Sequence, residues 1–345
     1  MKENAARDCL PYASYLDCIL RPALLRSPLV LDLFAGCGGL SLGFEAQGFE
    51  TIGFEKDKDS CHTYQQNLAG NCVQTTLTPE TPLPRATVVI GGPPCQPFSV
   101  IGKQAGIADV RDGFPIFISA VKRLQPDIWL FENVRGLFYR NKGYLETILD
   151  ELRSLNYIVE VKLLNAADYG VPQNRERVVV VGHRGHFCFP APRSQRLTAA
   201  EAIADTALTA PPESKFLTAS MDKYVAAYEK ASFCIRPRDL HLDRPARTLT
   251  CRNLAGATSD MQRVRLPDGR RRRILLQEAL RLQSFPDWVE VQGNETSRFN
   301  QIGNAVPPLM AFHLAASIRS YLETTDRMTV KEIEASKPPT QLALL

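Results

Sequence analysis

The sequence predicts an α/β protein built on a doubly wound, mostly parallel sheet, with a smaller second region inserted late in the chain. Two observations carry this. Six β-rich apolar runs, at 29–36, 50–56, 87–92, 127–134, 157–164 and 177–183, alternate with stretches of helical periodicity. After residue 182 the alternation gives way to a Pro- and Arg-rich stretch, HRGHFCFPAPRSQR, and helical patterning returns only at 274–285 and 309–322. Residues 1–183 are therefore read as the first part of the main domain and 184–273 as the inserted one. Residues 274–325 return to the main domain, and 326–345, polar with a Pro pair, are read as a mobile tail.

Taken in order, the first run passes through DLFAGCGGLSLGFEAQGF, 32–49, from a strand through a glycine cluster into a helix. Glycines let a ligand approach the backbone, and a helix N-terminus offers free N–H groups. The pattern differs from GxGxxG and carries no Walker lysine, so it supports a nucleotide-like cofactor and no more. Glu55 ends the second run, where such sheets present an acid to ribose hydroxyls; a plain surface glutamate is the alternative. The third run, TVVIGG, breaks into PPCQPFSVIGKQ, an irregular turn at the C-terminal end of a buried strand. Cys95 there has the setting of a nucleophile, although a free cysteine is commonly just a small buried hydrophobe.

Apolar stripes at Ile116, Phe117, Ala120, Val121 and Leu124, and at Leu145, Ile148, Leu149 and Leu152, predict two helices flanking the fourth run. That run ends in FENV. Glu132 follows a very apolar strand, and desolvation there favours a neutral acid able to donate a proton. In QNRERVVVVG, Arg175 and Arg177 are two apart at a strand start, hence on one face and aimed at one cleft.

The chain is long enough for a large core, and its hydrophobic content of 44% is that of a globular protein. No apolar run reaches the ~18 residues of a membrane span, and no secretory pattern opens the sequence, so a cytoplasmic location is expected. Nine cysteines without a CxxC pair, beside only five histidines, argue against a disulfide framework and against a metal site. The net charge of +4 is concentrated: Arg263 to Arg273 holds six arginines against Asp268. Such a run can be a solvated face, or a hairpin around the PDG turn that grips phosphates.

These segments, in this order, resemble the DNA cytosine-5 methyltransferase family. The resemblance is carried by DLFAGCGG, the Glu55 strand end, GGPPCQPFS, FENV, QNRERV, RRRILLQEALRLQSFP and QIGNAVPP, and spans about residues 29–322. It implies a Rossmann-like fold using S-adenosylmethionine and releasing S-adenosylhomocysteine, with no metal. Cys95 would add to C6 of a cytosine and Glu132 would stabilise charge at N3. Asn133 would help orient these groups, and Arg175 and Arg177 would hold the base and backbone. Phe34, Gly36, Gly38, Gly39, Glu55 and Asn304 would form the cofactor pocket. Two departures stand out: Thr75 or Thr76 lies where an adenine-binding acid is usual, and Lys56 replaces an aromatic residue beside Glu55.

Because C6 is inaccessible in a stacked duplex, the resemblance also implies base flipping, at roughly a few kcal/mol. Residues 96–112 suit a loop closing over the flipped base, with Gln96, Ser99, Lys103 and Arg111 as DNA contacts. The inserted region matches the family's target-recognition domain. Arg252, Asn253 and Gln262 suit base edges there, and Arg270, Arg271, Arg272 and Arg273 suit phosphates. The partners implied are double-stranded DNA and, for a prokaryotic modification enzyme, a cognate restriction endonuclease; a monomer is expected. The absence of a large N-terminal regulatory region is read as prokaryotic, whether the enzyme belongs to a restriction system or a prophage. Two other readings share the fold. A tRNA cytosine-5 methyltransferase would typically show a Cys-Phe-Thr signature, which this sequence lacks, and a silent nucleic-acid-binding relative would lack Cys95.

Overall fold

The computed structural model describes residues 10–22, 28–95, 112–193, 195–231, 238–256 and 258–325. The expected tail and the expected contacts Gln96, Ser99, Lys103 and Arg111 lie outside the described residues. Eleven strands occur among them. They are β1 (Leu29–Leu33), β2 (Glu50–Glu55), β3 (Asn71–Gln74), β4 (Val88–Gly91), β5 (Ile128–Val134), β6 (Ile158–Asn165), β7 (Gln173–Asn174), β8 (Glu176–His183), β9 (Ala246–Arg247), β10 (Arg263–Arg265) and β11 (Arg271–Arg273).

Seven of them form one sheet in the order β3-β2-β1-β4-β5-β8-β6. Strands β1 to β5 pair in parallel, while β8 runs antiparallel to both neighbours. The reversal follows from chain length: only residues 166–175 join β6 to β8, and a parallel crossover needs about a dozen or more. β3 escaped the sequence reading because NCVQ buries a single side chain, Cys72, and has no apolar pattern.

Period-2 alternation separates two apolar layers across the sheet. Val30, Val88, Ile90, Leu130 and Val181 face one core, whereas Leu31, Val89, Trp129, Phe131 and Val180 face the other. The stripes expected around Phe117 and Leu149 become the helices Phe114–Leu124 and Lys142–Ser154, both buried on the second layer. On the first layer, helix Gly39–Ala46 packs against helix Pro308–Thr325, which closes the fold from the far end of the chain. Gly43 makes that approach possible, since a Cβ there would stand 2.4 Å from the Phe312 nitrogen.

The 184–273 region contributes β9, which pairs in parallel with β7 of the preceding segment, the hairpin β10–β11 and helix Ala219–Ala231. The hairpin turns at Pro267-Asp268-Gly269, where Gly269 takes φ +85°. Leu217, Val225 and Met261 form its own small core, while Ala199, Ala246, Leu249 and Val264 join the first main layer. Among the described residues no helix is long and apolar enough to cross a membrane.

Candidate active site

Chain order reverses between β1 and β4, and in doubly wound sheets the crevice beyond such a pair of strand ends holds ligands. A cleft of ≈1220 Å³ opens there, lined by Phe34, Gly36, Glu55, Cys95, Glu132 and Asn304 among others.

The cofactor side is built by the turn after β1. Phe34 at φ 65°, Gly36 at 55° and Gly38 at 84° bend the chain sharply into helix Gly39–Ala46. Such angles strain a residue with a Cβ, so Phe34 is held by its surroundings: the next amide, Ala35 N–H, donates to Phe54 O at 3.1 Å. Glu55 is pinned at both oxygens, accepting from Gly36 N–H at 2.9 Å and from Asp57 N–H at 2.8 Å. Gly39 lines the cleft, and a Cβ on it would lie 2.4 Å from Val306 O. Gly38 corrects the expectation, because it shapes the turn against Tyr64 and Leu68 and does not line the cleft. Thr75, Thr76 and Lys56, the two departures noted above, do line it.

Behind this wall Asp32 is 1% exposed and accepts from Ser41 Oγ at 2.7 Å. Burial, aided by the charge of Glu55, pushes its carboxyl up to about 7. The sign is that of a raised acid: the stability present below the ordinary carboxylate value of 3.8 is lost progressively as pH rises from there to about 7. Asp32→Asn, which keeps an acceptor for Ser41 and has no charge to bury, is expected to gain stability over wild type between about pH 5 and pH 8. A gain on the order of 3 kcal/mol follows from ~1.4 kcal/mol per unit of pKa shift. Urea unfolding at the two pH values checks it, and an equal difference at both would refute the assignment.

On the catalytic side, Pro93-Pro94 carries the chain from β4 to Cys95. Asn133 Nδ2 donates to Pro93 O at 2.9 Å, and Gly113 N–H donates to Pro94 O at 3.0 Å. Cys95 also bridges antiparallel to Asp112. Asp112, 7% exposed, accepts from Phe114 N–H at 3.1 Å and from the Tyr144 hydroxyl. Burial, and then the Asp112 charge, pushes the Cys95 thiol up to about 11. In this state it is a thiol at neutral pH. Sequence reasoning missed Asp112 and Tyr144, since neither stands near Cys95 in any motif.

Glu132 stands beside it, two residues before the end of β5. Arg177 Nε stands 2.9 Å from Glu132 Oε1 as an ion pair, but its N–H is not aligned on that oxygen, which is left without a hydrogen bond. The buried acceptor faces a cleft able to supply a donor. Neither arginine lines the cleft as expected: Arg177 is buried behind Glu132, and Arg175 lies further from it. Arg175 is 2% exposed, and its guanidinium donates to the carbonyls of Leu249 at 2.8 Å and Ala305 at 2.9 Å. It ties the end of β7 to the loop after β9 and to the chain after Asn304. Burial and the neighbouring Arg177 lower its pKa to about 9, still charged at neutral pH.

The expected DNA contacts are reordered in the same way. Arg272 is wholly buried, donating to both Glu278 oxygens at 2.7 and 2.9 Å and to the carbonyls of Thr206 and Thr209. Arg271 pairs with Asp222 at 2.7 Å and Arg273 lies 3.9 Å from Glu295. Only Arg270 of the four is mostly exposed, paired with Asp268 and stacked over Phe216. Asn253 is spent on a capping box with Thr250, and Gln262, 1% exposed, accepts from Arg247. Burial of a charged or polar end depends on partners from distant segments, which no local pattern shows.

The sheet, the cleft at its reversal and the paired cysteine and carboxylate define an α/β methyltransferase. The chain matches the family model for C-5 cytosine-specific DNA methylases over residues 29–320, and it belongs to that family of DNA cytosine-5 methyltransferases. It is 56% identical to Type II methyltransferase M.AplI of Arthrospira platensis, covering 91% of this chain and 92% of that one. It is 34% identical to Type II methyltransferase M1.HphI of Haemophilus parahaemolyticus, covering 84% and 86%. The fold resembles that of Entamoeba histolytica methyltransferase EhMeth, with a TM-score of 0.64 at 15% identity over 86% of this chain and 99% of that one.

The family implies S-adenosylmethionine, and the residues present fit it. Glu55, Asp57 and Asp59 line the cofactor side against Lys56, a net acidic wall suited to a cationic, nucleoside-bearing ligand.

Proposed function

We propose that this chain methylates cytosine C5 at a fixed sequence in double-stranded DNA, with Cys95 as nucleophile and Glu132 as the group facing the pyrimidine edge. The observation that carries this reading is that Cys95, Glu132 and Glu55, from three separate strand ends, line one cleft.

Cytosine C5 is a poor carbon nucleophile. Adding the Cys95 sulfur to C6 converts the ring to an enamine whose C5 is nucleophilic. The thiol must pass its proton to solvent as the base arrives, because the free site holds it protonated. Negative charge developing at N3 is neutralised by a proton carried to it on the Glu132 carboxyl, which lines the cleft at this point. Asn133 keeps the Pro93 carbonyl, and hence the Cys95 turn, against the end of β5. Glu55 would hold the ribose hydroxyls, Phe34 and Gly36 to Gly39 would shape the rest of the cofactor side, and Asn304 would close it. S-adenosylmethionine, when bound, supplies an electrophilic methyl group on sulfur. Loss of the C5 proton and departure of Cys95 then leave 5-methylcytosine. Arg175 acts by positioning, since it grips loops and not the base.

In this reading residues 184–273 form the target-recognition domain, the enzyme works as a monomer, and its biological setting is bacterial modification beside a restriction endonuclease cutting the same site. The names of its Type II relatives support that setting. The test is a duplex carrying 5-fluorocytosine at the target. After methylation that ring has no C5 proton to lose, so wild-type protein with S-adenosylmethionine is expected to form a denaturation-resistant adduct through Cys95. A substrate that is turned over without any adduct would exclude the covalent route.

A further inference from the structure

A second cavity, of ≈820 Å³, lies in the 184–273 region and is walled by Arg238, Arg244, Arg247 and Arg252 with Asp260 and Gln262. Its charge is organised around one carboxylate. Arg238 Nη1 and Arg247 Nη1 donate to Asp260 Oδ1 at 2.8 and 2.9 Å, and Arg252 Nε stands 3.6 Å from Asp260 Oδ2. Arg247 is held again through Nε, which donates to Gln262 Oε1 at 2.8 Å.

Arg252 differs from the other two. Its side chain is 56% exposed, against 28% for Arg238 and 33% for Arg247. Its Nε side faces Asp260 at ion-pair distance, and among the described residues its two terminal nitrogens have no partner. Its backbone is fixed. Thr250 caps the turn Cys251–Ala255, and the Cys251 thiol donates to Asn304 Oδ1 at 2.9 Å and to Asn300 O at 3.5 Å. Asn300 and Asn304 line the catalytic cleft, so this fork is held at a set distance from the site of reaction.

The cavity offers N–H donors, while its carboxylates are already engaged: Asp260 by arginines and Asp239 by Arg263 Nε at 2.7 Å. A preorganised planar fork of donors suits a partner with two adjacent acceptors. In the major groove that partner is guanine, through O6 and N7. A phosphate would accept the same charge, but it needs no fixed fork.

We propose that Arg252, paired with Asp260, reads a guanine of the target sequence by a bidentate major-groove contact. The methylated sequence then contains a G·C pair besides the one being modified. This rests on the DNA-methylation reading above.

The experiment first locates the methylated sequence in cellular DNA, then replaces each of its guanines in turn by 7-deazaguanine, which lacks the N7 acceptor. For wild-type protein kcat/KM is expected to fall roughly tenfold or more at one guanine. Arg252→Ala and Arg252→Lys should both be weakened on the unmodified duplex and insensitive to that replacement. If Arg252→Lys restores wild-type activity, or if no guanine shows a sensitivity that depends on residue 252, Arg252 is at most a phosphate contact and the proposal is overturned while DNA methylation stands. If wild-type protein methylates no DNA, both fall together. Circular dichroism of the variants, whose altered side chain is more than half exposed, separates these outcomes from misfolding.

Discussion

Cys95→Ser protein is expected to bind its DNA target with near wild-type affinity and to methylate it on the order of 10³-fold or more slowly. The size of the loss follows from what surrounds the side chain. A serine hydroxyl needs a base within hydrogen-bond reach to act as a nucleophile. Among the described residues the cleft lining contains no histidine, and the nearby Asp112 carboxylate already accepts from Phe114 N–H and Tyr144. A thiol can supply its thiolate from a resting pKa of about 11 once the substrate alters the site; a hydroxyl at the same place cannot. Single-turnover methylation with excess protein, beside equilibrium binding to the same duplex, measures both quantities. Loss of binding in parallel with turnover would make Cys95 a structural residue.

Arg272→Ala is expected to destabilise the fold by about 3–5 kcal/mol, because it leaves Glu278, itself 1% exposed, as an uncompensated buried carboxylate. The pair fastens the β10–β11 hairpin to helix Leu276–Leu282, and through Thr206 and Thr209 to the segment before helix Ala219–Ala231. The double variant Arg272→Met with Glu278→Leu should recover much of the loss, since it removes both charges together. By contrast Arg270→Ala, two residues away, should cost less than about 1 kcal/mol, its partner Asp268 being exposed. Urea denaturation of the three proteins decides the matter. Equal losses for Arg270→Ala and Arg272→Ala would contradict the division of the arginine run into one buried brace and one surface residue.

That contrast marks where sequence reasoning stops. The strands were legible because alternation and apolar runs are local, and so was the convergence of Phe34, Glu55, Cys95 and Glu132 on one cleft, each being near the end of a run where the chain must turn. The direction of β8 was not carried by its own residues, RVVVVGH, but by the short connection that precedes it. Spacing put Arg175 and Arg177 on one face, yet pairing of β7 with β9 takes Arg175 out of the main sheet and into a cage of carbonyls. Asp260 had no signal at all, being an ordinary aspartate until Arg238, Arg247 and Arg252 converge on it. Local geometry is written in local sequence; the fate of a charge is decided by segments far along the chain.

The most direct measurement is bisulfite sequencing of plasmid DNA from cells expressing this chain, beside cells expressing Cys95→Ser. Cytosines protected within one fixed sequence for the wild type, and converted throughout for the variant, are the result expected of a sequence-specific cytosine-5 methyltransferase acting through Cys95. Full conversion in both, with soluble wild-type protein present, would contradict DNA methylation; equal protection in both would contradict the role of Cys95.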